Sequence, residues 1–103
     1  MKVLFDVNIP RPLRQKLPGH EVITAQAMGW GELENGALID AAEKAGFGGL
    51  VTADRNLRYQ QNLLGRRLGF VVLPCNKLRV LKTIAPEILR ALDTLKPGDY
   101  VEL

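Results

Sequence analysis

Leu50-Val51-Thr52-Ala53-Asp54-Arg55-Asn56-Leu57 is the stretch on which the fold turns. Leu50, Val51 and Thr52 form an apolar, β-branched run without alternation, the pattern of a strand buried on both faces. Asp54 follows at once, and an acid or amide there caps the helix suggested by Leu57, Gln60, Gln61 and Leu64. A buried strand that runs directly into a capped helix is half of a βαβ unit. Just upstream, Gly46, Gly48 and Gly49 end a helical segment over about Asn35 to Lys44, where Leu38, Ala41, Ala42 and Ala45 keep helical spacing.

The same alternation extends in both directions. Val3-Leu4-Phe5 reads as a first strand closed by Asp6, and Pro10 and Pro12 introduce a helix carrying Leu13 and Leu17. After the Pro18-Gly19 break, His20 to Thr24 reads as a second strand. Phe70-Val71-Val72-Leu73 is a fourth, stopped by Pro74. Leu78, Leu81, Ile84 or Ala85, Ile88 and Leu92 then mark a long helix that Pro86 is placed to split, and Tyr100 to Leu103 reads as a short edge strand. Apolar strands alternating with helices predict an α/β fold, a mainly parallel sheet of four to five strands with helices on both faces.

Composition agrees with one domain over residues 1–103: 47% hydrophobic and 24% charged residues suffice for a packed core and exclude intrinsic disorder. Cys75 is alone, so no internal disulfide forms, and Met1 to Asp6 reaches an acid after three apolar residues, too soon for a signal peptide or a membrane span. A reducing, cytoplasmic location is the expectation. The net charge of +3 is unevenly spread, since Arg55, Arg58, Arg66, Arg67, Lys77, Arg79 and Lys82 fall in a stretch with no Asp or Glu. That stretch is either a phosphate-binding face, with Arg55, Arg58, Arg66 and Arg67 as contacts to nucleic acid, or an ordinary solvated surface.

In open parallel sheets, ligands bind outside the carboxyl ends of the strands. Asp6 and Asp54 each follow a strand there, with Asn8 and Asn56 two residues after them. Two carboxylates and two amides on one rim suit a hard divalent cation such as Mg²⁺, which takes oxygen ligands and keeps several waters for activation or for bridging to phosphate. The bland alternative is that Asp54 caps a helix and Asp6 a turn. His20 precedes a strand, at the end opposite the rim, and reads as structural. Cys75 reads as a small buried hydrophobe, and Trp30 as a packing residue rather than a base-stacking one. Tyr59, Gln60 and Gln61 either line the rim or lie on a solvated helix face. With one histidine and one cysteine, no zinc set of ordinary spacing can be assembled.

Asp6-x-Asn8 after the first strand, Gly19-His20-Glu21-Val22 opening the second, the helix start near Asn35 and Leu50-Val51-Thr52-x-Asp54-x-Asn56-Leu57 resemble the PIN-like domain family, in its DUF5615 (Mut7-C-like) group. Arg58-Tyr59-Gln60-Gln61-Asn62-Leu63 narrows the resemblance to a subgroup of small bacterial proteins. It implies a PIN-like three-layer sandwich and a metal-dependent endoribonuclease, possessed in many family members by the toxin of a toxin–antitoxin pair. By position, Asp6 and Asp54 match the first and the strand-three acids, which hold the metal. This chain departs from the pattern at the middle helix, where Asn35 stands for an acid with Glu34 just before it, and again at Asn56. Glu34 is then the expected third catalytic acid, with Asp40 as runner-up and Asn8, Asn35 and Asn56 as supporting polar groups. RNA and an antitoxin-like protein are the implied partners, and a homodimer is compatible. The competing reading is a catalytically impaired PIN-like scaffold that binds nucleic acid or a protein partner, which Asn35 and Asn56 favour.

Overall fold

A computed structural model describes all residues from Met1 to Leu103. Strands β1 (Lys2–Phe5), β2 (Glu21–Thr24), β3 (Gly49–Thr52), β4 (Gly69–Val72) and β5 (Tyr100–Glu102) form one all-parallel sheet in the order β2-β1-β3-β4-β5. Leu4 lies opposite Ile23 on one side and Leu50 on the other, and Val51 opposite Val71. Every residue of β3 and β4 is buried, which explains why both read as unbroken apolar runs.

Because side chains alternate along a strand, each strand divides its apolar residues between two cores. Leu4, Leu50 and Phe70 pack with Leu38, Ile39 and Ala42 of α1 (Asn35–Lys44) and Leu57 of α2 (Leu57–Gln60). Val3, Phe5, Val51 and Val71 pack on the other face with Leu13 and Leu17, Leu81 of α3 (Leu78–Thr83), and Ile88 and Leu92 of α4 (Ala85–Asp93). The protein is an α/β sandwich of three layers. No helix is long and apolar enough to cross a membrane.

Two local outcomes differ from the simplest reading of the sequence, and a third, the split at Pro86, follows it. Arg11–Lys16 is a 3₁₀ helix rather than an α-helix, a tight six-residue turn with Pro12 near its start. The helix after Asn56 is a single turn: Gln61 is extended, the Asn62 carboxamide oxygen accepts from Leu64 N–H at 3.0 Å, and Gly65 turns at φ +77°. That side-chain acceptor competes with the helical ladder, and Leu64 is left 90% exposed. The long C-terminal helix breaks at Ile84, because Pro86 has no N–H for the Lys82 carbonyl and its ring would strike that carbonyl.

The connections explain the covering of the two faces. The 3₁₀ helix links β1 to β2 on the face later covered by α3 and α4, while α1 and α2 carry the chain across the other face. The β4-to-β5 connection therefore has the hand opposite to the other three, where parallel crossovers ordinarily share one hand. The 3₁₀ helix alone covers too little of its face, and α3 and α4 return across it to complete the layer.

Candidate functional site at the carboxyl edge

β1 and β3 are neighbours, but the chain leaves β1 towards β2 and returns to β3 on the opposite side, which makes the β1/β3 boundary the switch point of the sheet. Asp6 is the first residue beyond β1, and its N–H donates to the Val51 carbonyl at 2.9 Å, tying it to β3. Asp54 lies two residues beyond β3. Both acids therefore stand on one edge, at the switch point, as expected from two parallel strands.

Thr52 joins the Asp6 carboxylate to the backbone of Asp54. The Thr52 hydroxyl donates to Asp6 Oδ2 at 2.7 Å and accepts from the Asp54 N–H at 3.1 Å. Thr52 is 1% exposed and Asp6 is 7% exposed. Asp6 Oδ1 accepts from Val7 N–H at 2.8 Å, and Asn8 Oδ1 accepts from Ala53 N–H at 3.2 Å, which clamps the loop after β1 to the loop after β3. Asp54 Oδ1 accepts from Asn56 N–H at 3.0 Å and Oδ2 from Asn35 Nδ2 at 2.8 Å. Asn35 also donates to Gln60 Oε1 at 3.3 Å, while Gln61 Oε1 lies where a Cβ on Gly36 would stand only 3.0 Å away. The α2 turn and the start of α1 thus close over Asp54. Asp54 sits at the first turn of α1, where the helix dipole is positive.

The electrostatics of Asp6 are unusual. A buried carboxylate ordinarily has a cationic partner, yet the four ion pairs formed are His20–Asp93, Arg55–Glu102, Arg66–Asp40 and Arg66–Glu43. Neither Asp6 nor Asp54 takes part. Each oxygen of the two carboxylates holds one protein donor, and a carboxylate oxygen has room for two. Two anions with free lone pairs beside neutral amides fit a Mg²⁺ or Mn²⁺ ion that keeps part of its water.

The expected third acid does not join them. Glu34 precedes α1 with extended backbone (φ −78°, ψ 166°); its carbonyl accepts the first helical bond from Leu38 N–H at 2.8 Å, and its side chain is exposed without a hydrogen bond or ion pair. No three acidic, histidine or cysteine side chains gather in a metal-holding group. The place beside Asp54 is filled by Asn35, because α1 starts one residue after Glu34. Asp40, the runner-up, is held by Arg66 in the later half of α1.

The arginines separate likewise. Arg66 and Arg67 precede β4 and so lie at the amino edge, away from the acids. Arg66 binds Asp40 and Glu43, and the Arg67 and Leu68 N–H groups donate to Glu43 Oε2 at 2.6 and 3.1 Å. Burial alone would raise the Glu43 pKa, but these donors outweigh it and hold it below the ordinary 4.5. Arg55 binds Glu102 and the Leu103 carbonyl, each at 3.0 Å. Arg58 lies over Tyr59 and Tyr100, 5.0 and 5.4 Å from the ring centroids, and Tyr59 is 73% exposed. Lys77 opens α3 at the carboxyl edge and is exposed, as is Arg79.

The remaining candidates are structural. His20 Nε2 meets Asp93 Oδ1 at 2.7 Å at the amino edge. Trp30 packs edge-on against Phe47 at 5.9 Å, and Cys75 packs against the α3/α4 core. The member of the Asp6–Asp54 network that the sequence does not single out is Thr52; its signal is a hydroxyl at the end of a fully buried run, which must find a partner. Compared with protein-family models, curated proteins and solved structures, the chain matches none.

Proposed function

We propose that this protein is a divalent-cation-dependent endoribonuclease of PIN-like type, acting as the toxin of a toxin–antitoxin pair, in which Asp6 and Asp54 hold one Mg²⁺ or Mn²⁺ ion. The observation that carries this reading is the Asp6 carboxylate, nine-tenths buried at the switch point, without a cation and joined through Thr52 to the Asp54 loop. When bound, the ion neutralises the two acids and polarises a phosphoryl oxygen. Thr52 and Val7 N–H hold Asp6 in one orientation, and Asn35 and Asn56 N–H do the same for Asp54. Arg58 with the exposed Tyr59 ring supplies cationic and stacking contacts suited to single-stranded RNA, and Lys77 and Arg79 supply phosphate contacts.

A second reading, a PIN-like scaffold that binds without cleaving, is favoured by one specific feature. The Asn35 amide replaces a third acid and occupies an oxygen of Asp54. Calorimetry with Mn²⁺ and cleavage of a fluorescent single-stranded RNA separate the two. Micromolar Mn²⁺ binding and Mn²⁺-dependent cleavage, both lost in Asp6→Ala and Asp54→Ala, support the enzyme. Absence of heat at millimolar Mn²⁺ leaves the scaffold.

A further inference from the structure

β2 is an edge strand, bonded to β1 on one side and to no strand on the other. Its inner ladder begins with Glu21 N–H donating to the Met1 carbonyl at 3.0 Å, and Ala25 N–H donates to the Phe5 carbonyl at 2.8 Å just beyond the strand. In a parallel pair, alternate residues turn both backbone groups to the same neighbour. Glu21, Ile23 and Ala25 therefore face β1, and Val22 and Thr24 face outward. The Thr24 carbonyl is taken by Met28 N–H at 3.2 Å. What remains is an open row made of Val22 N–H, Val22 C=O and Thr24 N–H.

Exposed edges are usually blunted by short length, charged side chains, proline or a bulge. β2 is short, four residues, and its one charge is at Glu21, whose N–H is already bonded inward, but it contains no lysine, proline or bulge over Val22-Ile23-Thr24. Beside it lies a cavity of about 610 Å³, with Ile9, Val22 and Ala27 as apolar wall and Arg11 and Arg14 of the 3₁₀ helix as its charge. No acid lines this cavity, and neither arginine forms an ion pair or side-chain hydrogen bond. The opposite edge differs, since Arg55 closes over Glu102 and the Leu103 carbonyl next to β5.

We infer that the β2 edge, with the cavity beside it, is a docking site for an extended acidic segment of a protein partner, which adds as a sixth strand. Main-chain bonds to Val22 and Thr24 align the segment, an apolar side chain enters between Ile9 and Ala27, and carboxylates meet Arg11 and Arg14. A second copy of this chain fits poorly, because pairing β2 with β2 about a two-fold axis brings like-charged arginines together. RNA would engage the two arginines but has no use for an alternating N–H and C=O row. The inference is independent of the metal reading, since it uses neither Asp6 nor Asp54.

The test is a titration of ¹⁵N-labelled protein with a blocked octapeptide alternating valine and glutamate, and with its lysine-for-glutamate counterpart. The acidic peptide is expected to shift the Val22 and Thr24 amides and slow their hydrogen exchange at least about tenfold. The already bonded Glu21 and Ile23 amides should change little. The double variant R11E/R14E, altered only at exposed side chains, is expected to weaken binding at least about tenfold. Val22→Pro, which removes an outward N–H and leaves the inner ladder whole, is expected to abolish it. Equal binding of the lysine peptide, or no protection at Val22 and Thr24 at millimolar peptide, overturns the proposal. So do displacement of the peptide by an oligouridylate at the same amides and concentration-dependent shifts of those amides without peptide, which would assign the edge to RNA or to a homodimer. Asp6→Asn is expected to leave the titration unchanged, so a failure of the nuclease reading is told apart from a failure of this one.

Discussion

Thr52→Val tests the reasoning about the acid pair most directly, because valine keeps the shape of threonine and removes only the hydroxyl. The hydroxyl donates to a carboxylate at 2.7 Å in a place where Thr52 is 1% and Asp6 is 7% exposed. A hydrogen bond to a charged group contributes about 1.5–3 kcal/mol, and its loss leaves an ionised oxygen short of a donor. The Asp54 N–H also loses its acceptor, worth about 0.5–1 kcal/mol at a half-buried site. The new methyl group returns roughly 0.8 kcal/mol through apolar burial. The net loss is about 1–3 kcal/mol. At roughly 4–8 °C per kcal/mol for a domain of this size, Tm should fall by about 5–25 °C in metal-free buffer. Thr52→Ser, which keeps the donor and loses one buried methyl group, should cost only about 1 kcal/mol. Circular dichroism melts of both variants, with Asp6→Asn and the double variant Asp6→Asn/Thr52→Val, complete a double-mutant cycle whose coupling should reach about 1 kcal/mol or more. A Thr52→Val melt within about 2 °C of the parent, or a coupling near zero, would falsify the claim that Thr52 holds Asp6.

Saturating Mn²⁺ at about a hundred times its Kd should stabilise the parent by about 2.7 kcal/mol and leave Asp6→Asn unmoved, while Glu34→Gln, altered only in solvent, should match the parent in melting and in metal response. Arg66→Ala should lose about 1–2 kcal/mol at pH 7, because Glu43 and Asp40 both lose their cation. Glu43 titrates below the ordinary 4.5, so its contribution is complete above that value and is lost as pH falls through the lower folded value; urea melts from pH 7 to pH 3 should show this acid loss in the parent and a flatter profile in Arg66→Ala. Gly69→Ala should destabilise by about 1–3 kcal/mol, since a Cβ there would stand 2.6 Å from Leu95 Cγ and 3.0 Å from the Lys96 carbonyl oxygen; an unchanged denaturant midpoint would contradict that packing.

The chain by itself determined four strands and a candidate fifth, the mainly parallel α/β class and the edge on which Asp6 and Asp54 stand. These follow from local, periodic features: unbroken apolar runs in Val3-Leu4-Phe5 and Leu50-Val51-Thr52, and the rule that a residue just after a parallel strand lies at its carboxyl end. By the same rule the amino-edge placement of Arg66 and Arg67 is legible, because they precede the fourth strand. The tertiary structure alone decided that Glu34 stays in solvent while Asn35 reaches Asp54, because helix phase changes by about 100° per residue and α1 begins one residue later than a three-acid site requires. It also decided that Arg66 is held by Asp40 and Glu43, that Thr52 bridges the two acids, and that Val22 and Thr24 present an open edge. Each of these depends on which strand becomes a neighbour and which stays outermost. Strand order joins residues up to 46 positions apart, as in the bond from Thr52 to Asp6, and no local periodicity carries that information.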